Sequence, residues 1–290
     1  MAINWKIFTQ RPYIKSLSLE EQVRLFNIAN EKSIKLREQQ FTDFANSNST
    51  SQGAAGGEQK SSTSFTNTYS LDVDGNDDYV ELGSLPNLQN ATEYSISSWF
   101  KSPFNNQYQA IYSWFDGADG YLQLLLVDDG SFIVYNYRTS NAYGLSATGL
   151  VSADTWYNAT VIFDGGGATN ADRLKLYING SLVTLTYTGT IPTQTGTMLS
   201  KTMWLGASNS SNFWGFEGNI DEVSIFEIPI SIGDVWDGSG QATDLNLLAT
   251  PPINWYRFEE GSGTTATDSG SGGNDGTLEN GATYEENVPV

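Results

Sequence analysis

The chain has 290 residues, of which 39% are hydrophobic and 13% aromatic, so it is long and apolar enough to bury a sizeable core. It contains no Cys and no His, which excludes disulfides, thiolate metal sites and catalysis by Ser-His-Asp or Cys-His groups. The formal net charge is −19, and residues 61–290 carry 6 basic against 27 acidic groups, so we expect neither nucleic acid nor an anionic membrane as a partner.

Residues 1–60 predict an amphipathic helix followed by a flexible linker. Ser18 and Glu21 have the spacing of a capping box, and residues 46–64 are rich in Ser, Gly and Asn. Apolar residues recur at near-helical spacing between these two segments. We predict that this apolar stripe binds other copies of the chain or a partner protein, although packing on the chain's own body is the alternative. The stripe contains Leu19, Val23, Phe26, Ile34 and Phe41.

Residues 61–233 predict many short antiparallel strands. The runs "YSISSWF", "YLQLLLV", "SFIVYNY", "WYNATVIF", "LKLYI", "SLVTLTY" and "DEVSIFEI" are apolar or alternating and are separated by turn residues. Asn179-Gly180 is typical of a type I′ hairpin turn, and "VDDGS" at 127–131 predicts a second hairpin. This pattern favours a two-sheet sandwich.

Six segments of this region also resemble the concanavalin A-like, laminin-G-like family in their order and spacing. The resemblance implies a mainly β, two-sheet antiparallel jelly-roll sandwich, to which the N-terminal helix is added. The fold alone does not imply an activity. The segments are "YSLDVDGNDDYVEL" (69–82), "YSISSWFK" (94–101), "DTWYNATVIFDG" (154–165), "LKLYINGSLV" (174–183), "MWLGAS" (203–208) and "FEGNIDEVSIF" (216–226).

Residues 234–290 form a C-terminal extension whose sequence is unexpected at the end of a chain. The stretch "NWYRFEEGSGTTATDSGSGGNDGTLENGATY" (254–284) looks like the strand and loop with which a laminin-G-like domain opens. We interpret it as a permuted strand that completes the chain's own sandwich. Addition to a neighbouring subunit is one alternative, and a truncated second domain is the other.

The segment "DVDGNDDY" is rich in carboxylates, and the family resemblance implies that such loops can hold Ca²⁺. Hard cations prefer several oxygen ligands, which Asp74, Asp77 and Asp78 could supply together with Asp221 or the Asp268–Asp275 loop. The alternative is that Asp and Asn side chains only cap turns here. For Asp221, in the strand "EGNIDEVSIFE", the alternative is a structural carboxylate that satisfies loop backbone groups.

Aromatic side chains in loops are the candidates for a glycan-binding surface, because ring faces pack on the C–H surfaces of sugars. Trp114, Tyr143, Phe213 and Trp214 occur in loop-like sequence surroundings and are predicted to bind ligand. By contrast, Trp99 and Trp156 match strand positions of the family and are predicted to lie in the core.

No pattern of catalytic carboxylates is present. Glucanases of this superfamily carry Glu-x-Asp-x-Glu or Glu-x-Asp-x-x-Glu on one strand, and neither spacing occurs in this sequence. We therefore expect a protein that is not an enzyme, and a glycanase with a non-standard carboxylate pair is the less favoured reading.

The arrangement of helix, linker and sandwich resembles laminin-G-like structural proteins of tailed-phage virions. This resemblance implies a homo-oligomeric capsid, neck or fibre component that assembles in the host cytoplasm and contacts host glycans. It agrees with the lack of a recognisable secretory signal in residues 1–22. The alternative is a free carbohydrate-binding lectin.

Overall fold

The structure is a computed structural model that describes residues 65–116, 120–138, 141–197, 201–208 and 214–289. These residues belong to the second of two units of the chain, Thr63–Val290. The predicted N-terminal helix and linker, with Leu19, Val23, Phe26, Ile34 and Phe41, lie outside the described residues. No helix in the described part has the length and apolar character required to cross a membrane.

The regular structure of the described chain is mainly strand, with one short α-helix, α1 (Asn170–Arg173), and three 3₁₀ turns, Pro86–Leu88, Ile232–Asp234 and Leu245–Leu247. Seventeen strands follow one another along it. They are β1 (Ser70–Asp74), β2 (Tyr79–Glu81), β3 (Glu93–Lys101), β4 (Tyr108–Asp116), β5 (Gly120–Val127), β6 (Phe132–Tyr137), β7 (Tyr143–Leu145), β8 (Tyr157–Asp164), β9 (Leu174–Ile178), β10 (Ser181–Val183), β11 (Thr186–Thr188), β12 (Met203–Leu205), β13 (Glu217–Phe226), β14 (Asn254–Tyr256), β15 (Thr265–Ala266), β16 (Gly276–Glu279) and β17 (Thr283–Glu285).

The strands form two antiparallel sheets, which confirms the predicted two-sheet sandwich. The eight-stranded sheet has the order β10-β9-β8-β3-β13-β1-β17, and β14 pairs with β13. The nine-stranded sheet has the order β11-β7-β6-β5-β4-β12-β2-β16-β15. Alternate residues of both sheets point into one apolar core, as Leu122, Leu124 and Leu126 of β5 illustrate.

The two predicted hairpins are present, but their turns differ. Asn179 and Gly180 have φ of 46° and 72° and join β9 to β10, as a type I′ turn requires. Residues 128–131 join β5 to β6, and in this longer turn only Gly130 has a positive φ, of 73°. The run "SLVTLTY" is also not a single strand, because β10 and β11 belong to different sheets.

The C-terminal strands pair with earlier strands of the same chain. β17 pairs with β1 in the eight-stranded sheet, and β16 pairs with β2 in the nine-stranded sheet. β13 has β3 along one edge, while β1 and β14 share the other edge in succession. Residues 254–285 therefore supply strands to both sheets of the same chain, and permutation stays an interpretation of the sequence.

A second apolar cluster lies on the face of the eight-stranded sheet that points away from the main core. Ile230, Val235 and Leu245, which follow β13, pack there with Ile162, Phe226 and Trp255. The ring of Trp236 lies 5.3 Å from that of Trp99. Trp99 is buried as predicted, but Trp156 is only half-buried, so its assignment to the core is wrong.

Two buried carboxylates, Asp221 and Glu222, occupy a β-bulge in β13, at the point where the pairing partner of β13 changes from β1 to β14. Asp221 accepts a hydrogen bond from Asn67 Nδ2 at 2.8 Å and another from the Glu222 backbone N–H at 2.8 Å. Glu222 accepts from Trp255 Nε1 at 2.5 Å and from Arg257 Nε at 3.2 Å. The two carboxylates thus join three segments that are far apart in the sequence.

Burial has the largest effect on the pKa values of Asp221 and Glu222. It raises the pKa of Glu222 to about 8, although the Arg257 charge and the hydrogen bond from Trp255 act in the opposite direction. Burial also raises the pKa of Asp221 well above its ordinary value, and the Glu222 charge adds to that shift. The folded protein therefore holds protons on this pair more tightly than the unfolded chain does.

We predict that the free energy of unfolding falls as the pH rises from about 5 to about 8, because the raised pKa of Glu222 gives stability that is lost when this group ionises. Urea unfolding across this pH range measures the effect. Glu222→Gln should flatten the pH dependence, whereas Glu227→Gln, at an exposed position of the same region, should leave it unchanged. Equal slopes for the wild type and Glu222→Gln would contradict this assignment.

Candidate functional site

An open cleft of about 310 Å³ lies at one end of the sandwich, where three connections meet. Gly75 follows β1, Tyr108 begins β4, and Trp214 precedes β13. The rings of Tyr108 and Trp214 lie 5.7 Å apart at an angle of 53°. The lining of this cleft, called the Trp214 cleft below, consists of Gly75, Asn106, Gln107, Tyr108, Trp214 and Gly215.

Hydrogen bonds fix the three connections relative to one another. The Asn106 side chain donates to the carbonyl oxygens of Gly75 and Gly215, each at 3.2 Å. The Ala110 N–H donates to the Trp214 carbonyl oxygen at 2.9 Å, which anchors this residue to β4. Gly75 has a φ of 77°, and a Cβ atom there would lie 2.6 Å from Asn106 Nδ2, so only glycine fits.

Of the aromatic residues predicted to bind ligand, the structure places Trp214 in the cleft. Tyr143 is half-buried on β7, and its ring lies 5.2 Å from that of Tyr135. Phe213 lies outside the described residues. The predicted loop position of Trp114 is wrong, because this residue lies in β4 with its side chain 0% exposed. Its Nε1 donates to the Lys201 carbonyl oxygen at 3.1 Å, so the ring is a core element.

Tyr108, Asn106 and Gln107 line the cleft but were not among the predicted site residues. They lie in "SPFNNQYQA", where Asn, Gln and Pro indicate only a connection before a strand. The pairing of β4 with β12 and β5, which sets the position of this connection, depends on contacts between distant parts of the sequence. No local signal identifies these residues as neighbours of Trp214.

The turn that follows β1 brings together Asp74, Asp77 and Asp78, with one carboxylate oxygen of each within 4.8 Å of the others. Asp74 accepts hydrogen bonds from the Asn76 backbone N–H at 2.8 Å and from Asn76 Nδ2 at 3.0 Å. These bonds lower the pKa of Asp74, whereas burial and the Asp74 charge raise that of Asp78. Because Gly75 lines the Trp214 cleft, this turn borders the cleft directly.

The donor set of this turn fits a hard cation in type and in charge. Ca²⁺ takes six to eight oxygen ligands, and three carboxylates supply a part of them. Asp221 does not belong to this group, because it is fully buried in the β13 bulge and bonds Asn67 there. Its predicted role as a metal ligand beside Asp77 and Asp78 is therefore wrong.

The Asp268–Asp275 loop was the other candidate source of ligands. Asp268 accepts hydrogen bonds from the backbone N–H groups of Trp255, Gly270 and Asn274 and from the Asn254 side chain. Four donors already satisfy its carboxylate, so Asp268 holds its own loop together.

Residues 74–235 match the family model described as the concanavalin A-like lectin/glucanases superfamily. Among solved structures, a Bacteroides ovatus protein with a proposed carbohydrate-binding role has a TM-score of 0.55 at 13% identity, covering 78% of this chain and 62% of that one. This chain thus spans less than two thirds of the length of the Bacteroides ovatus protein.

A heptameric SAP-like pentraxin from Limulus polyphemus has a TM-score of 0.51 at 13% identity, covering 76% of this chain and 95% of that one. At this identity both likenesses show a shared fold. No curated protein matches the sequence.

Calcium binding by the Asp74–Asp78 turn stays a prediction, and thermal unfolding measures it. Ca²⁺ should raise the melting temperature by several degrees at concentrations well above its Kd, since it binds only the folded turn. Asp77→Asn should remove this shift while slightly stabilising the Ca²⁺-free protein, because it relieves repulsion among three carboxylates.

Asp237→Asn is the matched control for this experiment. Asp237 also accepts a hydrogen bond from a backbone N–H two residues ahead, but it lies outside the carboxylate group. Calcium binding by the turn is contradicted if Ca²⁺ shifts the melting temperatures of wild type and Asp77→Asn equally.

Proposed function

Because the chain belongs to the concanavalin A-like lectin/glucanase superfamily, we propose that it is a non-enzymatic carbohydrate-binding protein that presents the Trp214 cleft to glycans. The observation that carries this proposal is the pairing of two aromatic rings, Tyr108 and Trp214, with amide groups in one open cleft. Ring faces pack on the C–H surfaces of sugars, and amides hydrogen-bond sugar hydroxyls.

Two features of the described residues support binding without catalysis. None of the side chains that line the described cleft carries a carboxyl group. Asp221 and Glu222, the pair whose pKa values are raised most among the described carboxylates, are buried under hydrogen-bond partners within the fold. The likeness to the Bacteroides ovatus protein adds a fold that is compatible with sugar binding.

The second part of the proposal concerns the larger assembly in which this domain works. We place it as a structural component of a tailed-phage virion that displays the sandwich and touches host glycans. The support is the sequence order of a predicted amphipathic helix, a polar linker and an acidic sandwich. In this setting the predicted helix binds other copies of the chain or other virion proteins.

Trp214→Ala should weaken glycan binding by at least about tenfold, because it removes one of the two rings of the cleft. Trp214→Phe should retain much of the affinity, since it keeps an aromatic face at the same backbone position. Calorimetric titration with neutral oligosaccharides measures both variants. Leu247→Ala, at a position 67% exposed and outside the cleft lining, is the control. Unchanged affinity in Trp214→Ala would remove the cleft from the proposal.

Light scattering of the full chain and of a chain without residues 1–60 tests the display setting. The full chain should form an oligomer, and the shortened chain should be a monomer with the same melting temperature, because the strands of both described sheets lie within residues 70–285. A full chain that stays monomeric at all concentrations would favour the free lectin instead.

A further inference from the structure

The eight-stranded sheet ends in an edge strand, β10, that has no partner along its outer side among the described strands. β10 (Ser181–Val183) pairs with β9 and stands last in the strand order of its sheet. Its backbone groups take part in no other hydrogen bond between described residues. An edge strand of this kind offers free N–H and C=O groups to a strand of another chain.

Leu182 directs its backbone groups towards that free edge. The hairpin turn before β10 has two residues, so the pair that flanks the turn, Ile178 with Ser181, exchanges both hydrogen bonds. The next pair, Leu182 with Tyr177, is then of the non-hydrogen-bonded kind, and the N–H and C=O of Leu182 point away from β9. The Leu182 side chain is 61% exposed. One residue thus presents a donor, an acceptor and a large apolar side chain.

An open groove of about 490 Å³ lies beside β10. Its lining combines the three residues of β10 with Ala147 and Leu150, which follow β7 in the chain. Leu150 is 37% exposed, and Leu150 and Leu182 are two of the five large apolar side chains that are exposed among the described residues. The free edge therefore borders an accessible apolar surface.

The surface around β10 lacks charged side chains, although the chain as a whole has a net charge of −19. Residues 141–152 and 176–197, which hold β7, β10 and β11, contain no Asp, Glu, Lys or Arg. The pairing of β11 with β7 makes these two segments neighbours. Acidic residues stand at the border, where the Asp129 carbonyl oxygen accepts a hydrogen bond from the Gly149 N–H at 2.8 Å. An uncharged centre with a polar border is typical of protein–protein interfaces.

The opposite edge of the same sheet has a different composition. Its last strand, β17, contains Glu285 and is followed by Glu286. Charged side chains and Pro on an edge strand prevent it from pairing with another chain, and β10 has neither. Like charges repel two copies of this acidic chain at most of its surface, but not at an uncharged strand. Of the two edges of this sheet, β10 is the one that suits a second copy.

We infer that β10 pairs antiparallel with β10 of a second copy, around a two-fold axis at Leu182. The outward N–H and C=O of each Leu182 then bond to those of its counterpart, and the two exposed leucine side chains become cross-strand neighbours. The two eight-stranded sheets join into one continuous sheet. This inference concerns a surface separate from the Trp214 cleft and from the predicted N-terminal helix, and it does not rest on glycan binding.

The size of the contact sets its strength. Stable protein–protein interfaces bury about 1,200–2,000 Å². β10 has three residues and supplies only a part of such an area, so a dilute sandwich on its own stays monomeric. Copies that another contact already holds together pair through β10 at a high effective concentration. The pairing therefore orders neighbouring sandwiches within an assembly.

Disulfide cross-linking of the full chain tests the inference. Because the chain has no Cys, Leu182→Cys places a single thiol at the axis. The Cα atoms of a hydrogen-bonded antiparallel pair lie about 5.5 Å apart, a distance that a disulfide can span. Under mild oxidation, Leu182→Cys should form covalent dimers at least about tenfold faster than Leu247→Cys. Leu247 is the matched control, since it is 67% exposed and lies outside the groove. Equal rates would overturn the inference.

Charge variants of the full chain test the two-fold axis itself. At low salt, Leu182→Glu and Leu182→Lys should each associate less than the wild type in sedimentation velocity, because like charges then face each other. An equimolar mixture of the two should regain association, since residue 182 faces itself only at a two-fold axis. Leu247→Glu should associate like the wild type.

Two results would contradict the two-fold pairing: wild-type association in Leu182→Glu, or a mixture that associates no more than its components. Urea unfolding of each variant verifies its fold. All of these variants should keep the glycan affinity of the wild type, because they alter no residue of the Trp214 cleft. A wild type that binds no saccharide would refute the proposed function and leave this inference standing.

Discussion

The buried carboxylates in the bulge of β13 are the constraint on which the rest of the sandwich depends. β1 and β14 share one edge of β13 in succession, and Asp221 and Glu222 lie at the junction between them. Asn67 bonds one carboxylate, while Trp255 and Arg257 bond the other. Removal of either carboxylate would leave buried donors without acceptors, so this junction holds the two ends of the described chain on the same strand.

The same arrangement connects the C-terminal strands to the candidate site. Asn280, in the turn between β16 and β17, donates a hydrogen bond from Nδ2 to the Asp77 carbonyl oxygen at 2.7 Å. A Cβ atom on Gly281 would lie 2.8 Å from Asp78 Oδ1, so the C-terminal hairpin packs closely against the acidic turn. The turn that borders the Trp214 cleft is thus supported by residues more than 200 positions away in the sequence.

The sequence predicts those features that depend on local chemistry. The Asn179-Gly180 turn is predictable because Asn and Gly tolerate the positive φ values that a type I′ turn requires. The alternating burial of "SFIVYNY" is predictable because one face of the sheet lies in the core. Trp114 shows where this reasoning fails: the Asp and Gly residues after it indicate a loop, but the strand extends to Asp116 and pairing with β12 buries the ring. Likewise, nothing local to Asp221 distinguishes a metal ligand from a carboxylate that closes a strand junction.

The strongly acidic composition of the chain is related to the uncharged lining of the Trp214 cleft. A body with few basic groups has few ion pairs to offer an anionic ligand, so its affinity for a glycan must come from ring faces, hydroxyls and amides, each of which contributes little. Such contacts gain strength by repetition along a chain of sugar rings. They gain further if several sandwiches are displayed together, because linked weak sites act at a high effective concentration. Oligomeric display would therefore offset the weakness of each single site.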